Sequence, residues 1–217
     1  MTNGVVSSAT FPIICDNYDT DVSVGLAWMA EGVTLSQEFS TPPSVKPPLK
    51  LEGSTNLSNL TSYDNGTPVT AEGAYEAAAW MAQQIMSIGS TDPNSLSGTQ
   101  ATEIANYNWA IWAIFSSGAM GNTSGFNSGA NTDLETALEN IPNYTLSEFN
   151  DVTFWIPYNS VPGGSCTSPS TTTGGCPNYD ASQEYMTVSP TPEPASVLLF
   201  GTGLFGIILV LVKRLFT

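Results

Sequence analysis

Eighteen consecutive residues, Ala195 to Val212, carry no formal charge, and this run constrains where the rest of the chain can reside. Leu, Val, Ile and Phe dominate it, with Gly201, Gly203 and Gly206 interspersed. A bilayer core about 30 Å thick is crossed by ~20 apolar residues in a helix. A helix of this kind has no polar face, so in water it would have to lie inside a large core. This run follows a proline-rich joint at the end of the sequence, so its length predicts a lipid-spanning helix over 195–212. Lys213 and Arg214 come next. Positive residues stay on the cytoplasmic side, so the preceding part is expected outside, with 213–217 as a basic cytoplasmic end.

The charge census agrees with export. All nineteen acidic residues precede Ala195, against only Lys46 and Lys50, which leaves the outer part at −17. Such a surface repels nucleic-acid phosphates, and its self-repulsion favours solubility. Five Trp and nine Phe argue against disorder despite the charge. Residues 1–188 are long enough for one globular domain with its own core, followed by a stalk at 189–194. An exported chain is expected to begin with a signal peptide, yet Met1-Thr2-Asn3-Gly4-Val5 lacks a basic region and an apolar run.

Pro192-Glu193-Pro194, then one apolar helix, then a short basic end resembles the PEP-CTERM sorting signal of Gram-negative bacteria, over residues 191–217. The resemblance implies recognition near Pro192, Glu193 and Pro194 by an exosortase-type membrane protease-transpeptidase. It also implies delivery to the cell surface or the extracellular polysaccharide matrix. The basic end, Lys213 and Arg214 alone, is shorter than the family's usual one. Proline fixes φ and disfavours helix just before it, so the Pro-Glu-Pro stretch is expected to be extended and accessible to a protease.

Cys166 and Cys176 lie in the loop GSCTSPSTTTGGCP. In an oxidising compartment this spacing predicts a disulfide, contributing ~2–3 kcal/mol by the chain-entropy model. The chain has no histidine, which removes Ser-His-Asp and Cys-His catalysis. It shows no Walker loop and no dinucleotide fingerprint, and no carboxylate pair stands out for glycoside hydrolysis. A non-enzymatic protein is therefore expected, with no cofactor beyond a possible calcium ion. Asp16, Asp19 and Asp21 in DNYDTD are the tightest acidic cluster, with a solvated turn as the simpler reading.

The order of elements reads strands, helices, strands, an α+β class. Residues 3–14 suggest two short strands, and Val22 to Ala30 alternates at period two. Residues 40–68 are rich in Pro, Ser, Thr and Asn and read as a surface loop. A first helix follows Thr70, with Tyr75, Ala78, Ala79, Ala82, Ile85 and Met86 on one face and Gly89 as terminator. A second opens at Ser97 with Gln100 at capping-box spacing, with a stripe of Ala101, Ile104, Ala105, Asn108, Ile111, Trp112 and Phe115. A third is expected from Thr132, with Leu134, Ala137, Leu138 and Ile141 behind it. The stretch SSGAMGNTSGFNSGAN between them reads as a loop. Val152–Tyr158 and Gln183–Val188 complete the pattern as strands.

Cys15 in FPIICDNYD and Asn108 in NYNWAIW together resemble the thioester domains of surface adhesins. In that family a cysteine near the domain's start bonds a glutamine that precedes Ala-Ile-Trp by one residue. Here Ala110-Ile111-Trp112 is present and the glutamine position is Asn108, one methylene shorter. Its carbonyl carbon would sit about 1.5 Å nearer its own helix, beyond the ~0.5 Å tolerance of bond-forming geometry. Gln100, Gln83 and Gln84 are weaker candidate partners. The residues favour a scaffold whose electrophile is lost, with Cys15 a small buried hydrophobe and Asn108 bonding the adjacent strand's backbone. The two other readings are a covalent adhesin using Cys15, and a domain that binds or cleaves matrix polysaccharide through exposed Trp and acidic residues.

Overall fold

A computed structural model describes residues 13–16, 29–39, 49–52, 54–89, 96–158 and 184–189. Four strands and five α-helices occur among them. The strands are β1 (Ile14–Cys15), β2 (Met29–Val33), β3 (Val152–Tyr158) and β4 (Tyr185–Val188). The helices are α1 (Leu35–Phe39), α2 (Ala71–Ile88), α3 (Gly98–Phe115), α4 (Ser117–Gly121) and α5 (Ser128–Glu139). Two 3₁₀ turns, Ile141–Asn143 and Leu146–Phe149, link α5 to β3. The mixed helix-and-sheet class expected from the element order is what forms.

The strands make one antiparallel sheet in the order β1-β4-β3-β2. Alternation along each strand sorts the side chains into two faces. One register row, Ile14, Met186, Phe154 and Val33, is buried throughout and looks into the core. The next row on the opposite face is Cys15, Tyr185, Trp155 and Gly32. The Trp155 indole N–H donates to Thr187 Oγ1 at 2.8 Å on that face.

Helix α2 is the centre of the helical layer. Thr70 caps it, its hydroxyl accepting from the Gly73 N–H at 3.2 Å, and Gly89 closes it. The single apolar face expected of it is an underestimate. Eleven of its eighteen residues are buried, including Ala74, Ala77 and Met81 beyond the expected stripe. The run of alanines explains this, because small side chains let neighbours approach the helix from several sides. Tyr75 is its one large anchor, with ring centroids 5.1 Å from Phe115 and 5.2 Å from Phe154.

Helix α3 begins with the expected capping box, Ser97 and Gln100 bonding each other's backbone N–H. Its burial departs from the expected stripe. Ala101 and Ala105 are exposed, and only the C-terminal turns are buried, through Ala110, Ile111, Ala113, Ile114 and Phe115. Helix α5 starts one turn earlier than Thr132. Asn127 is its cap, accepting from the N–H groups of Gly129 and Ala130, while the Thr132 hydroxyl back-bonds to the Ser128 carbonyl inside the helix. Asparagine at the end of a Gly/Ser run is as strong a cap as threonine, which is why the loop reading of 116–131 gave way to α4 and the first turn of α5. The described part of the Pro-rich region, 49–52 and 54–68, is irregular, with a left-handed Asn65-Gly66 pair at φ 48° and 86°. The expected strands over 3–12 and 22–28, the Cys166–Cys176 disulfide and the membrane helix over 195–212 lie outside the described residues. Among the described residues no helix is long and apolar enough to cross a membrane.

Two substitutions check this packing. Phe154→Ala is expected to cost about 3–5 kcal/mol in urea unfolding, since it opens a cavity beside Tyr75. Ser97→Ala is expected to cost only about 0.5–2 kcal/mol, as the loss of a cap.

Candidate functional site

The edge pairing of β1 with β4 places two acids where the apolar pattern would put hydrophobes. Cys15 is registered with Tyr185, so the next cross-strand pair is Asp16 and Glu184, tied by an Asp16 N–H to Glu184 carbonyl contact of 3.4 Å. Asp16 lies on the face of Ile14, and Glu184 on the face of Met186. Both are buried, Asp16 completely and Glu184 to 4% exposure.

Glu184 is well supplied with donors. The Tyr75 hydroxyl donates to Oε2 at 2.7 Å, and the Lys50 backbone N–H donates to Oε1 at 2.6 Å. The Leu51 N–H donates in turn to the Tyr75 hydroxyl oxygen at 3.4 Å. The Lys50 ammonium group points elsewhere, donating to the Phe115 carbonyl at 3.2 Å. Neither carboxyl oxygen of Asp16 receives a donor. Two facing carboxylates offer only acceptors, so the pair is satisfied when Asp16 keeps its proton and donates it to Glu184.

The electrostatics favour that assignment. Burial raises the Asp16 carboxyl well above the usual carboxylate range, and the charge of Glu184 and the hydrogen bond to it raise it further; Lys50 opposes only in part. Burial also raises Glu184, but the hydrogen bonds from Asp16, Tyr75 and the Lys50 backbone pull the other way. Both carboxyls are raised, Asp16 well above its ordinary value, so Asp16 is the member that holds a proton more tightly. Tyr75 is held well above its ordinary value by burial, then by Glu184 and Asp16.

The expected thioester residues make separate contacts. Cys15 is a free, half-buried thiol, raised by burial and by Asp16. Its carbonyl accepts from the Trp112 indole N–H at 2.9 Å, which fastens the edge strand to α3. The Asn108 amide donates to the Ile104 carbonyl of its own helix at 2.9 Å, and among the described residues it bonds no strand. Gln100 is held in the α3 cap and donates to the Ile88 carbonyl, about 18 Å along the helix from Trp112 at 1.5 Å per residue. Gln83 donates to the Glu148 carbonyl and to Asp151. Of the acidic cluster, Asp16 turns inward, while Asp19 and Asp21 lie outside the described residues. Among the described residues no group of three metal-ligating side chains converges.

Other acids shift in the same direction. Burial, then Glu72 and Glu148, pushes Glu76 of α2 up to about 7. The neighbouring Tyr144 hydroxyl is buried without a partner. Asp64 is raised by burial and Glu139, and Asp133 by burial and Glu103. With only two lysines outside the tail, little positive charge offsets these effects.

Fold and site thus define a mixed helix-and-sheet body, strongly acidic in composition, with a buried carboxyl pair. Residues 190–214 match the family model of the PEP-CTERM protein-sorting motif. The chain carries that sorting signal, so it is an exported protein recognised by an exosortase system. No curated protein and no solved structure matches the chain significantly.

Two outcomes follow. Tyr75→Phe leaves Glu184 Oε2 without its hydroxyl donor and is expected to cost about 1–3 kcal/mol in chemical denaturation. The raised carboxyls bind protons more tightly in the folded state, so their stabilisation is complete below their unfolded values and is lost as pH rises through the folded ones. For Glu76 that window runs from 4.5 to about 7. Calorimetry is expected to show Tm falling across this window, and Glu76→Gln is expected to reduce the fall.

Proposed function

We propose that this chain is a structural or adhesive protein of the cell surface or extracellular matrix of a Gram-negative bacterium, working in exopolysaccharide or biofilm rather than as an enzyme. The observation that carries the reading is the sorting-motif match at 190–214. On this reading the run 195–212 anchors the precursor in the inner membrane, and Lys213 and Arg214 remain in the cytoplasm. An exosortase-type protease-transpeptidase then acts near Pro192, Glu193 and Pro194 and releases the body to the surface or matrix.

The acidic body suits this role. A body with a formal charge of −17 stays soluble once released and is repelled by anionic lipid and by nucleic acid. Matrix polysaccharide is the partner class that the destination supplies. The complete burial of Asp16 and the near-complete burial of Glu184 disfavour glycoside hydrolysis at that pair, because a sugar would have to reach both carboxyls. A covalent adhesin using Cys15 is disfavoured by the raised thiol and by the Asn108 amide bonding its own helix.

The test is expression of the full-length chain in a Gram-negative host that possesses an exosortase. The wild type is expected in the surface or matrix fraction, shortened at its C-terminal end. Replacing Pro192, Glu193 and Pro194 together by alanine is expected to leave uncleaved precursor in the inner membrane. Wild-type precursor that stays full-length in the cytosol would falsify the proposal. Intact-mass measurement of the released body separates the covalent reading, which requires a deficit of about 17 Da and sensitivity to methylamine.

A further inference from the structure

The buried carboxyl pair has a consequence for the edge of the sheet. Strand β1 is only two residues long and, among the described residues, pairs with β4 alone. Besides that ladder, the contacts that hold it among the described residues are Ile14 in the core, the Trp112 indole on the Cys15 carbonyl, and Asp16 against Glu184. Strand β4 ends at Val188, directly before the matched sorting motif. A charge change at Asp16–Glu184 therefore acts on the junction between the N-terminal segment and the strand that leads to the processing signal.

We propose that Asp16 and Glu184 form a proton-operated latch, which holds β1 on β4 while one proton is shared and frees β1 when that proton is lost. Among the described residues, the groups facing the pair are Tyr75 from α2, Lys50 from a turn within the Pro-rich region, and Cys15 and Tyr185 from the two strands. Burial raises both Cys15 and Tyr185, and the remaining causes are neighbouring acidic groups. Lys50 is the one cation among these groups, and its ammonium group is bonded to the Phe115 carbonyl. Loss of the shared proton would leave two carboxylates side by side out of water. Their repulsion and desolvation are relieved when Asp16 turns out to solvent and takes β1 with it. The balance is one proton: Asp16 releases it to solvent, and no bond between heavy atoms forms or breaks.

Cys15 reports the state of the latch, since it pairs with Tyr185 only while β1 is docked. The experiment uses the purified full-length chain in detergent. Iodoacetamide labelling of Cys15 is followed by peptide mass spectrometry, and each rate is divided by that of a free thiol peptide at the same pH. In the wild type the normalised rate is expected to rise about tenfold or more as pH is raised above the ordinary carboxylate range, because ionisation of the pair is coupled to opening. Asp16→Asn offers Glu184 an amide donor at every pH, so its normalised rate is expected to stay low and flat. A flat wild-type profile overturns the proposal, and so does an Asp16→Asn profile with the wild-type slope.

A second measurement on the unmodified protein stands even if Asp16→Asn does not fold. Infrared difference spectra are expected to show a protonated-carboxyl carbonyl band that disappears over the same pH range as labelling accelerates. A band that titrates without any change in labelling overturns the latch. Titration with calcium at neutral pH distinguishes the occupant. If calcium removes the band and suppresses labelling, a metal rather than a proton fills the pair, and the proposal fails.

Discussion

Tyr75 joins the two halves of this structure. Its ring packs against Phe115 of α3 and Phe154 of β3, while its hydroxyl donates to Glu184 just before β4. One side chain therefore fixes the distance between the helical layer and the sheet, and also satisfies the buried acid. A hydroxyl in an apolar core is tolerated only with a partner. Glu184 is that partner, and its own burial is tolerable because Tyr75, Lys50 and Asp16 surround it with donors. The network and the core depend on each other.

The surface and the interior of this body respond differently to acid. The chain carries nineteen acids against two lysines before the tail, a balance whose self-repulsion favours solubility. Inside, Asp16, Glu184 and Glu76 are buried near one another or near other acids, with little positive charge in reach. Protonation relieves both kinds of strain at once. An exported protein meets the pH of its surroundings, so its stability is coupled to them through these groups.

Parts of the fold were legible because their signals are local. The Thr70 cap and the Gly89 end of α2, the Ser97–Gln100 box of α3 and the limits of β3 each depend on a few neighbouring residues. The start of α5 was misread because two capping signals lie close together, and Asn127 rather than Thr132 engages the free N–H groups. The stripe assigned to α3 failed over its first turns because periodicity marks a face but not how far along the helix the core extends. A trace of the buried pair was present all the same. In both IICD and QEYMTV, period-two alternation puts the acid on the same face as an isoleucine or methionine, a conflict that identifies an unusual buried acid.

The sequence alone determined the export address, because the Pro-Glu-Pro stretch, the uncharged run and the basic end are contiguous and need no folded context to be recognised. It also determined the acidity of the body and the absence of histidine chemistry. Only the tertiary structure decided that Asp16 and Glu184 meet, that Tyr75 completes their network, and that Cys15 and Asn108 make separate contacts. Those outcomes depend on β1 docking beside β4 in one register, and a strand's choice of neighbour is set by packing across the whole domain rather than by residues near it in the chain.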